Sequence, residues 1–153
     1  MKILHCADLH LDAPLQGYEE LKEKVLTIPG KLLDICRREG CALVLIAGDI
    51  FHGPYTKQSF RILFRALADM EVPVFITPGN HDFISPESPY MTEIWPENVH
   101  IFKNPQMEKY TLPGITVWGA GYTSMDCPGL LAGFTADGEG LQIGILHADI
   151  TPH

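Results

Sequence analysis

Four short stretches of the chain place carboxylate, imidazole and amide side chains close together. They are Asp8-Leu9-His10, Gly48-Asp49 with the following His52, Gly79-Asn80-His81-Asp82, and the late His147. Such a mixture of oxygen and nitrogen donors suits Mn, Fe or Zn better than Ca, and it lacks the thiolates of a structural zinc site. Two cations about 4 Å apart can activate a bridging hydroxide and hold a phosphoryl group during in-line displacement. The four stretches therefore predict metal-assisted phosphoryl chemistry, provided that the fold brings them together.

The spacing inside the first two stretches has a physical interpretation. Asp8 and His10 alternate with Leu9. On an extended chain both polar side chains would point the same way, while Leu9 would turn back toward apolar packing. Gly48 lets the backbone bend sharply before Asp49, and the two oxygens of that carboxylate can bridge two cations. Each pair taken alone is also compatible with an ordinary surface turn, so the prediction rests on the joint occurrence of the stretches.

The elements predicted around these stretches explain how they would meet. The apolar runs KILHCA, CALVLIA and VPVFIT are predicted strands, with helical patterns over 17–40 and 56–70 between them. Pro29 and Gly30 are expected to break the first helical stretch, and Gly40 is expected to end it. The alternation of strand and helix predicts an α/β core with parallel strands. In such a sheet, ligands bind at the carboxyl ends of the strands, and the first three stretches follow the three strands directly.

The second half of the chain has a different pattern. NVHIFK, EKYTLP, GITVWGAGY and GLQIGILHADI are strand-like, and short turns rather than long helices separate them. This pattern predicts antiparallel additions or a second sheet packed on the first. His147 follows the last of these runs. No boundary between domains is evident, so residues 1–153 are interpreted as one domain.

Composition limits the possible partners. The net charge of −8 argues against a protein that coats nucleic acid by bulk electrostatics. It does not argue against a metal-dependent nuclease, because carboxylates that hold cations count as negative until the metal binds. The four cysteines show no regular spacing and are interpreted as reduced thiols of a cytoplasmic protein. No apolar stretch has the length of a membrane span, and the usual triphosphate-binding and serine-hydrolase motifs are missing from the sequence.

The stretches DLH, GDIFH, GNHD and the late LH, in this order, resemble the calcineurin-like metallophosphoesterases. Within that superfamily, ILHCADLHLDAP and the histidine of GDIFH are most similar to SbcD-type DNA repair exonucleases. The resemblance spans Lys2 to His147. It implies a four-layer α/β-β/α sandwich and a two-metal phosphodiesterase, an exonuclease or endonuclease in which a metal-bridging hydroxide attacks a DNA phosphodiester. It also implies Mn²⁺ as the first candidate metal, with Fe or Zn as alternatives, and an SMC-like ATPase partner. A homodimer is expected on another ground, because a strand left unpaired at the truncated edge of the sheet would favour dimerisation.

The same resemblance implies individual roles for eight residues. His81 would lie beside the phosphate as a proton donor or transition-state stabiliser, with Asp82 as its orienting partner. His52 would contact the scissile nucleotide or assist the leaving group. The implied metal ligands are Asp8 and His10 for the first ion, Asp49 for both ions, and Asn80 and His147 for the second.

One part of the family pattern does not occur in the sequence. The family completes its site with a Gly-His-x-His motif beyond the position of His147, and the residues up to His153 do not supply it. The expectation is therefore an N-terminal portion of a longer protein, without the C-terminal strands and the accessory DNA-end-recognition domain, or a site completed by a tail or another chain. Such a form would bind metal weakly and have little activity. Two alternatives stay open: an enzyme for small nucleotides or phosphoproteins, and a non-catalytic scaffold with a degenerate metal site.

Several other side chains have a structural interpretation beside a functional one. His5 lies inside the first strand and is interpreted as a core histidine. His100, in the run NVHIF without an acidic neighbour, is interpreted as structural. Phe51 and Phe83 each follow one of the motif turns. Core packing is the more common role for such phenylalanines, and stacking on a nucleobase is the alternative.

Overall fold

The computed structural model describes residues 1–149, and His153 lies outside the described residues. Within that range the chain forms strands and helices that alternate at first and then give way to consecutive strands. The elements are β1 (Ile3–Cys6), α1 (Glu19–Leu26), α2 (Ile28–Glu39), β2 (Leu43–Ala47), α3 (Lys57–Ala68), β3 (Val74–Thr77), α4 (Pro89–Thr92), β4 (Val99–Ile101), β5 (Glu108–Leu112), β6 (Ile115–Gly119) and β7 (Leu141–Ile145).

The first sheet is parallel and has the strand order β1-β2-β3-β4. This confirms the predicted parallel core. The placement of β4 differs from the prediction, because this strand pairs in parallel with β3 instead of joining the second sheet or pairing antiparallel. The segment between β3 and β4 contains the short helix α4, and it is long enough to cross over and return in the same direction.

Strand β2 lies at the centre of the molecule and is buried along its whole length. Val44 and Ile46 face the core that α2 and α3 cover. Leu43, Leu45 and Ala47 face the opposite side and pack under the second sheet. A strand covered on both faces is expected to be apolar at every position, and this explains the run CALVLIA.

The second sheet has the order β5-β6-β7, in which β5 and β6 are antiparallel while β6 and β7 are parallel. Val117 of β6 and Ile145 of β7 pack against Phe75 of β3 and against Phe102, which directly follows β4. Residues 1–149 thus form helices, a sheet and a second sheet in successive layers, which are three of the layers in the four-layer α/β-β/α sandwich that the resemblance implies. The packing also carries the end of β7 to the same edge where β1, β2 and β3 end.

The helices begin and end where local chemistry allows. The predicted break at Pro29 and Gly30 is shifted, because α1 and α2 meet at Thr27 and both residues lie inside the first turn of α2. Proline fits there because the N–H groups of the first turn have no hydrogen-bond acceptor within the helix, so the N–H that proline lacks is not missed. Gly40 ends α2 with φ 62° and ψ 50°, a left-handed conformation that glycine adopts without strain, as predicted.

Among residues 1–149, no helix combines the length and the apolar character needed to cross a bilayer. All four cysteines are free. Burial raises the pKa of Cys6 to about 11, so this thiol stays protonated near neutral pH.

Candidate metal centre

A cavity of about 620 Å³ opens at the carboxyl edge of the first sheet. Six of the eight residues singled out in the sequence line it, namely Asp8, His10, Asp49, Asn80, His81 and His147. The remaining two lie beside this cavity. His52 contacts His10, with 3.1 Å between their Nδ1 atoms, and Asp82 lies underneath, where it binds the backbone of the turns.

Asp49 is the buried centre of this group, with 2% of the residue exposed. Its Oδ1 accepts a hydrogen bond from the backbone N–H of His81 at 2.9 Å. Its Oδ2 lies 3.7 Å from Nε2 of His10 and 3.5 Å from Nε2 of His147. One oxygen is therefore held by the protein, while the other faces two imidazole nitrogens across the cavity.

The segment after β1 is not extended, so the predicted alternation of Asp8 and His10 is wrong in its geometry. Both residues have left-handed backbone conformations, with φ of 54° and 45°. Hydrogen bonds from their backbone N–H groups to the carbonyls of Gly48 (3.1 Å) and Asp49 (3.0 Å) hold them in place. The two side chains still meet, with His10 Nε2 3.8 Å from Asp8 Oδ1, and Leu9 packs inward as expected. Non-glycine residues in this region cost energy and persist only where the surroundings fix them.

Two glycines make room for the side chains of the cavity. A Cβ atom at Gly48 would lie 2.4 Å from Cγ of His147, and one at Gly79 would lie 2.1 Å from Oδ1 of Asp49. Gly48 also has a φ of 77°. The sequence alone suggests that these glycines serve backbone bending. The structure adds a second reason, because the imidazole and the carboxylate occupy the space that a side chain would need.

His147 is oriented by a bond to the strand that it lies beside. Its Nδ1 is 3.0 Å from the carbonyl oxygen of Ala47 and donates to it. With the proton on Nδ1, the Nε2 atom presents its lone pair to the cavity, as in metal-binding histidines. This Nε2 lies 2.9 Å from Oδ1 of Asn80. Two lone-pair atoms that face one another so closely are stabilised by a cation that both can coordinate.

The donor set fits divalent transition metals. Ligand atoms of Asp8, Asp49 and His147 all lie within 4.8 Å of one another, and His10 adjoins both carboxylates. Carboxylate, imidazole and amide oxygen are the groups that Mn, Fe and Zn accept. The residues present can therefore hold metal at this edge of the sheet.

Three imidazoles form one side of the centre. The rings of His52 and His81 stack with centroids 4.5 Å apart, and the rings of His10 and His81 meet edge to face at 5.1 Å. Burial is the main cause that lowers the pKa of His52, and the neighbouring His81 and His10 lower it further. The His52 imidazole is therefore neutral at physiological pH, so its ring can stack without adding positive charge.

Comparison with known proteins assigns this arrangement to a family. A family model described as calcineurin-like phosphoesterase matches residues 1–140. The chain belongs to this family. Its metallophosphoesterase fold and its capacity to bind divalent metal follow from this membership and agree with the geometry of the cavity.

Similar proteins include one named for DNA double-strand break repair and one named as a nuclease subunit. The uncharacterized metallophosphoesterase YhaO of Bacillus subtilis is 32% identical over 68% of this chain. The DNA double-strand break repair protein Mre11 of Aeropyrum pernix is 30% identical over 74% of it, and a subunit of the nuclease SbcCD from Staphylococcus saprophyticus is 26% identical over 82%. The matched segments make up 28%, 29% and 34% of these relatives, so the chain spans about a third of their length.

The structure gives Asp82 different partners from those expected. Its carboxylate accepts hydrogen bonds from buried donors instead of holding the His81 ring. The donors are the backbone N–H groups of Asp49 (3.2 Å), Ile50 (2.8 Å), Phe51 (3.2 Å) and Gly79 (2.8 Å) and the Tyr90 hydroxyl (2.6 Å). Burial is the main cause that raises the pKa of Asp82, and the Asp49 charge adds to it, while the hydrogen bonds from Tyr90, Gly79 and Phe51 oppose the rise. Five donors require an acceptor-only carboxylate, so Asp82 joins the two motif turns as an anion.

Two residues at the cavity were misjudged or missed. His5 was interpreted as a core histidine, but it is exposed and lines the cavity, because β1 is the edge strand of its sheet. Tyr122 also lines the cavity, and its ring meets that of His147 at 5.7 Å. It lies three residues beyond β6, and its backbone N–H donates to the carbonyl of Pro78 at 3.1 Å. Extending the rule of strand ends to the second sheet would have found it.

Proposed function

We propose that this chain carries the catalytic centre of a two-metal phosphodiesterase that acts on DNA, as an exonuclease or endonuclease of the SbcD type. The observation that carries the proposal is the meeting of Asp8, Asp49, Asn80 and His147 in one cavity, with His81 at its edge. The names of the Aeropyrum and Staphylococcus relatives support DNA as the substrate class.

The proposed metal ligands divide between two cations. Asp8 and His10 would hold the first, Asn80 and His147 would hold the second, and Asp49, whose Oδ2 faces the two imidazoles, would be shared by both. Mn²⁺ is the proposed metal, with Fe or Zn as alternatives. A pair of such cations, when bound, supplies a water nucleophile of lowered pKa and neutralises negative charge on the phosphate.

The remaining residues position and protonate. His81 is anchored through its backbone N–H on Asp49, so its ring lies at a fixed place beside the metal ligands, where it donates a proton to the departing oxygen. His52 stacks on His81 and contacts the nucleotide next to the scissile bond. Asp82 acts through the backbone, because its hydrogen bonds set the turns that carry Asp49 and Asn80.

The cellular setting is part of the same proposal. An SMC-like ATPase is the proposed partner, supported by the resemblance to the SbcD branch and by the Staphylococcus relative's name as a subunit of SbcCD. A cytoplasmic location is supported by the four free thiols.

The test compares substrates and a matched pair of variants. Labelled single- and double-stranded oligonucleotides and small phosphoesters are incubated with the chain and Mn²⁺ under single-turnover conditions, so that slow cleavage is visible. We expect oligonucleotide cleavage that disappears in Asp49→Asn. His81→Ala should keep Mn²⁺ affinity by calorimetry and lose about 10²-fold or more in rate, because it removes a proton donor and no ligand. Cleavage of small esters alone would contradict the DNA substrate.

A second candidate is a phosphodiesterase or phosphatase for small nucleotides or phosphoproteins. Asp126 and Asp149 line the cavity, both are exposed, and the whole chain carries a charge of −8. These charges repel an extended polyanion more than a small ester. The substrate panel above decides between the two enzymes. Mn²⁺ binding that is absent, or unaffected by Asp49→Asn, would contradict both and favour a non-catalytic scaffold.

A further inference from the structure

A second cleft of about 340 Å³ lies directly beside the metal cavity, and His81 lines both of them. The two turns that carry the candidate site also build this cleft as they continue. Gly53 to Tyr55, which follow His52, form one wall, and Phe83 and Ser85, which follow His81 and Asp82, form the other. The cleft is therefore reached from the metal cavity by passing one imidazole.

The Tyr55 wall is rigid. Its hydroxyl bonds to Oγ1 of Thr92 at 3.0 Å and donates to the carboxylate of Glu93. Its ring packs against Phe51 at 5.5 Å and Phe60 at 6.1 Å. Tyr55 thus presents a fixed aromatic surface, without the entropy cost of ordering a mobile side chain when a ligand arrives.

The Phe83 wall is held by its backbone. The N–H of Ile84 donates to the carbonyl of Tyr122 at 2.8 Å, which ties this segment to the loop after β6. Phe51, the equivalent phenylalanine after the other motif turn, is fully buried in the core. Phe83 is only partly buried and lines the cleft. The two phenylalanines therefore differ in role, and Phe83 is the one that a ligand can touch.

The charge of the cleft selects against an anion. Its lining residues include the carboxylates of Asp82 and Glu87, and no lysine or arginine of residues 1–149 is among them. Lys57 is not a lining residue, but its Nζ lies 5.8 Å from the centroid of the Tyr55 ring, where its charge is paired with Glu93. A phosphate would therefore meet two carboxylates and only His81 as a possible cation among the lining residues, whereas a neutral aromatic ring finds two aromatic side chains and the hydroxyl of Ser85. Aromatic walls of this kind accept any nucleobase, because every base has a π-face.

We infer that this cleft binds the base of the nucleotide on the leaving-group side of the scissile phosphate. The inference rests on the proposed function, in which the phosphate lies in the metal cavity and His81 protonates the departing oxygen. Because the cleft lies on the other side of His81, the nucleoside attached to that oxygen is the one whose base enters it. Phe83 and Tyr55 then determine how strongly a nucleotide is preferred over a base-free phosphoester.

The experiment measures binding, so it does not depend on turnover. Isothermal titration in the presence of Mn²⁺ compares inorganic phosphate with the 3′- and 5′-monophosphates of deoxyadenosine. We expect at least one isomer to bind about tenfold more tightly than phosphate, as stacking on one aromatic surface provides. Phe83→Leu should reduce this advantage to about twofold and leave the affinity for phosphate unchanged. Phe134→Leu is the matched control, because it alters a partly buried phenylalanine that packs on Trp118 far from the cleft.

Deoxyadenosine, which has no phosphate, tests the cleft without metal. NMR spectra of the metal-free chain should show shifts that centre on Phe83 and Tyr55. Equal affinities for phosphate and nucleotide, or an advantage that survives Phe83→Leu, overturn the inference and leave the proposed function standing. If the chain binds neither Mn²⁺ nor phosphate but still shows the deoxyadenosine shifts, the cleft binds the base and the proposed function is wrong. Absence of shifts at Phe83 and Tyr55 overturns the inference in either case.

Discussion

The two motif turns after β2 and β3 differ sharply from the segment after β1, although both contribute candidate metal ligands. The turns are joined by the buried Asp82 carboxylate, and Asp49 and Asp82 are 2% and 4% exposed. The segment from Asp8 to Asp12 is attached to the turn after β2 through backbone hydrogen bonds, and the Asp8 side chain is 57% exposed. The two motif turns are thus part of the buried core, while the segment after β1 lies on the surface of that core. Substitutions at the two motif turns should lower the free energy of unfolding, and those in the segment after β1 should affect ligand binding alone.

The largest effect on stability is expected from Asp82→Ala. The change leaves four backbone N–H groups and the Tyr90 hydroxyl buried without their acceptor. Breaking a buried charged network costs about 3–5 kcal/mol, and we expect a loss of this size in the free energy of unfolding. Urea denaturation measures it, with the exposed Asp34→Ala as a control. A loss below about 1 kcal/mol would show that Asp82 does not join the turns.

A smaller effect is expected from Gly48→Ala, compared with Gly53→Ala. The two glycines have nearly the same φ, 77° and 79°, so the backbone strain of alanine is the same at both, about 1 kcal/mol. Only at Gly48 would the new Cβ meet the His147 ring, while at Gly53 nothing lies within 4 Å. Gly48→Ala should therefore cost about 1–3 kcal/mol more and lower Mn²⁺ affinity. Equal losses in the two variants would mean that His147 moves freely.

Tyr90→Phe should cost about 2 kcal/mol, since it removes one hydrogen bond to a charged acceptor and keeps the ring. Burial, and then the neighbouring Asp82 charge, raises the pKa of Tyr90, so its hydroxyl keeps its proton at neutral pH and can donate it to Asp82. Denaturation of Tyr90→Phe and Asp82→Ala and of the double variant measures their coupling. Additive losses would contradict a shared network.

The smallest effect on stability is expected from Asp8→Asn. Asparagine tolerates the left-handed conformation at φ 54°, and the side chain is exposed, so the free energy of unfolding should change by less than about 0.5 kcal/mol. Mn²⁺ affinity should nevertheless fall about tenfold or more, as for the loss of a charged ligand. Calorimetry compares this variant with Asp49→Asn, for which both affinity and stability should fall. If Asp8→Asn unfolds the protein, the contrast between the two motif turns and the segment after β1 is wrong.

The placement of Asp49, Asn80 and His147 at one edge of the sheet could be predicted from the order of strands and motifs in the sequence. Parallel strands end at the same edge, and these residues follow strand ends directly. The parallel core and the end of α2 at Gly40 were predictable for similar reasons of pattern and local chemistry. The metal and catalytic roles themselves remain predictions that the experiments above address.

The remaining features depend on contacts between distant residues, which local pattern does not record. His5 alternates like a core residue, and only the sheet order shows that its strand lies at an edge. Asp82 adjoins His81 in sequence, yet its acceptor oxygens turn toward backbone donors about 30 residues away. Asp12 carried no signal either, although it accepts from Thr56 at the start of α3 and helps to fix the segment after β1.

The bond between His147 and the carbonyl of Ala47 spans 100 residues of chain. Closing so long a loop is slow in comparison with forming local structure, and His147 is positioned only when β7 pairs with β6. We therefore expect the metal cavity to be among the last parts of the chain to fold. The rate at which the refolding chain binds metal should then report the rate of the final folding step. A stopped-flow experiment with a metal-sensitive dye measures this rate.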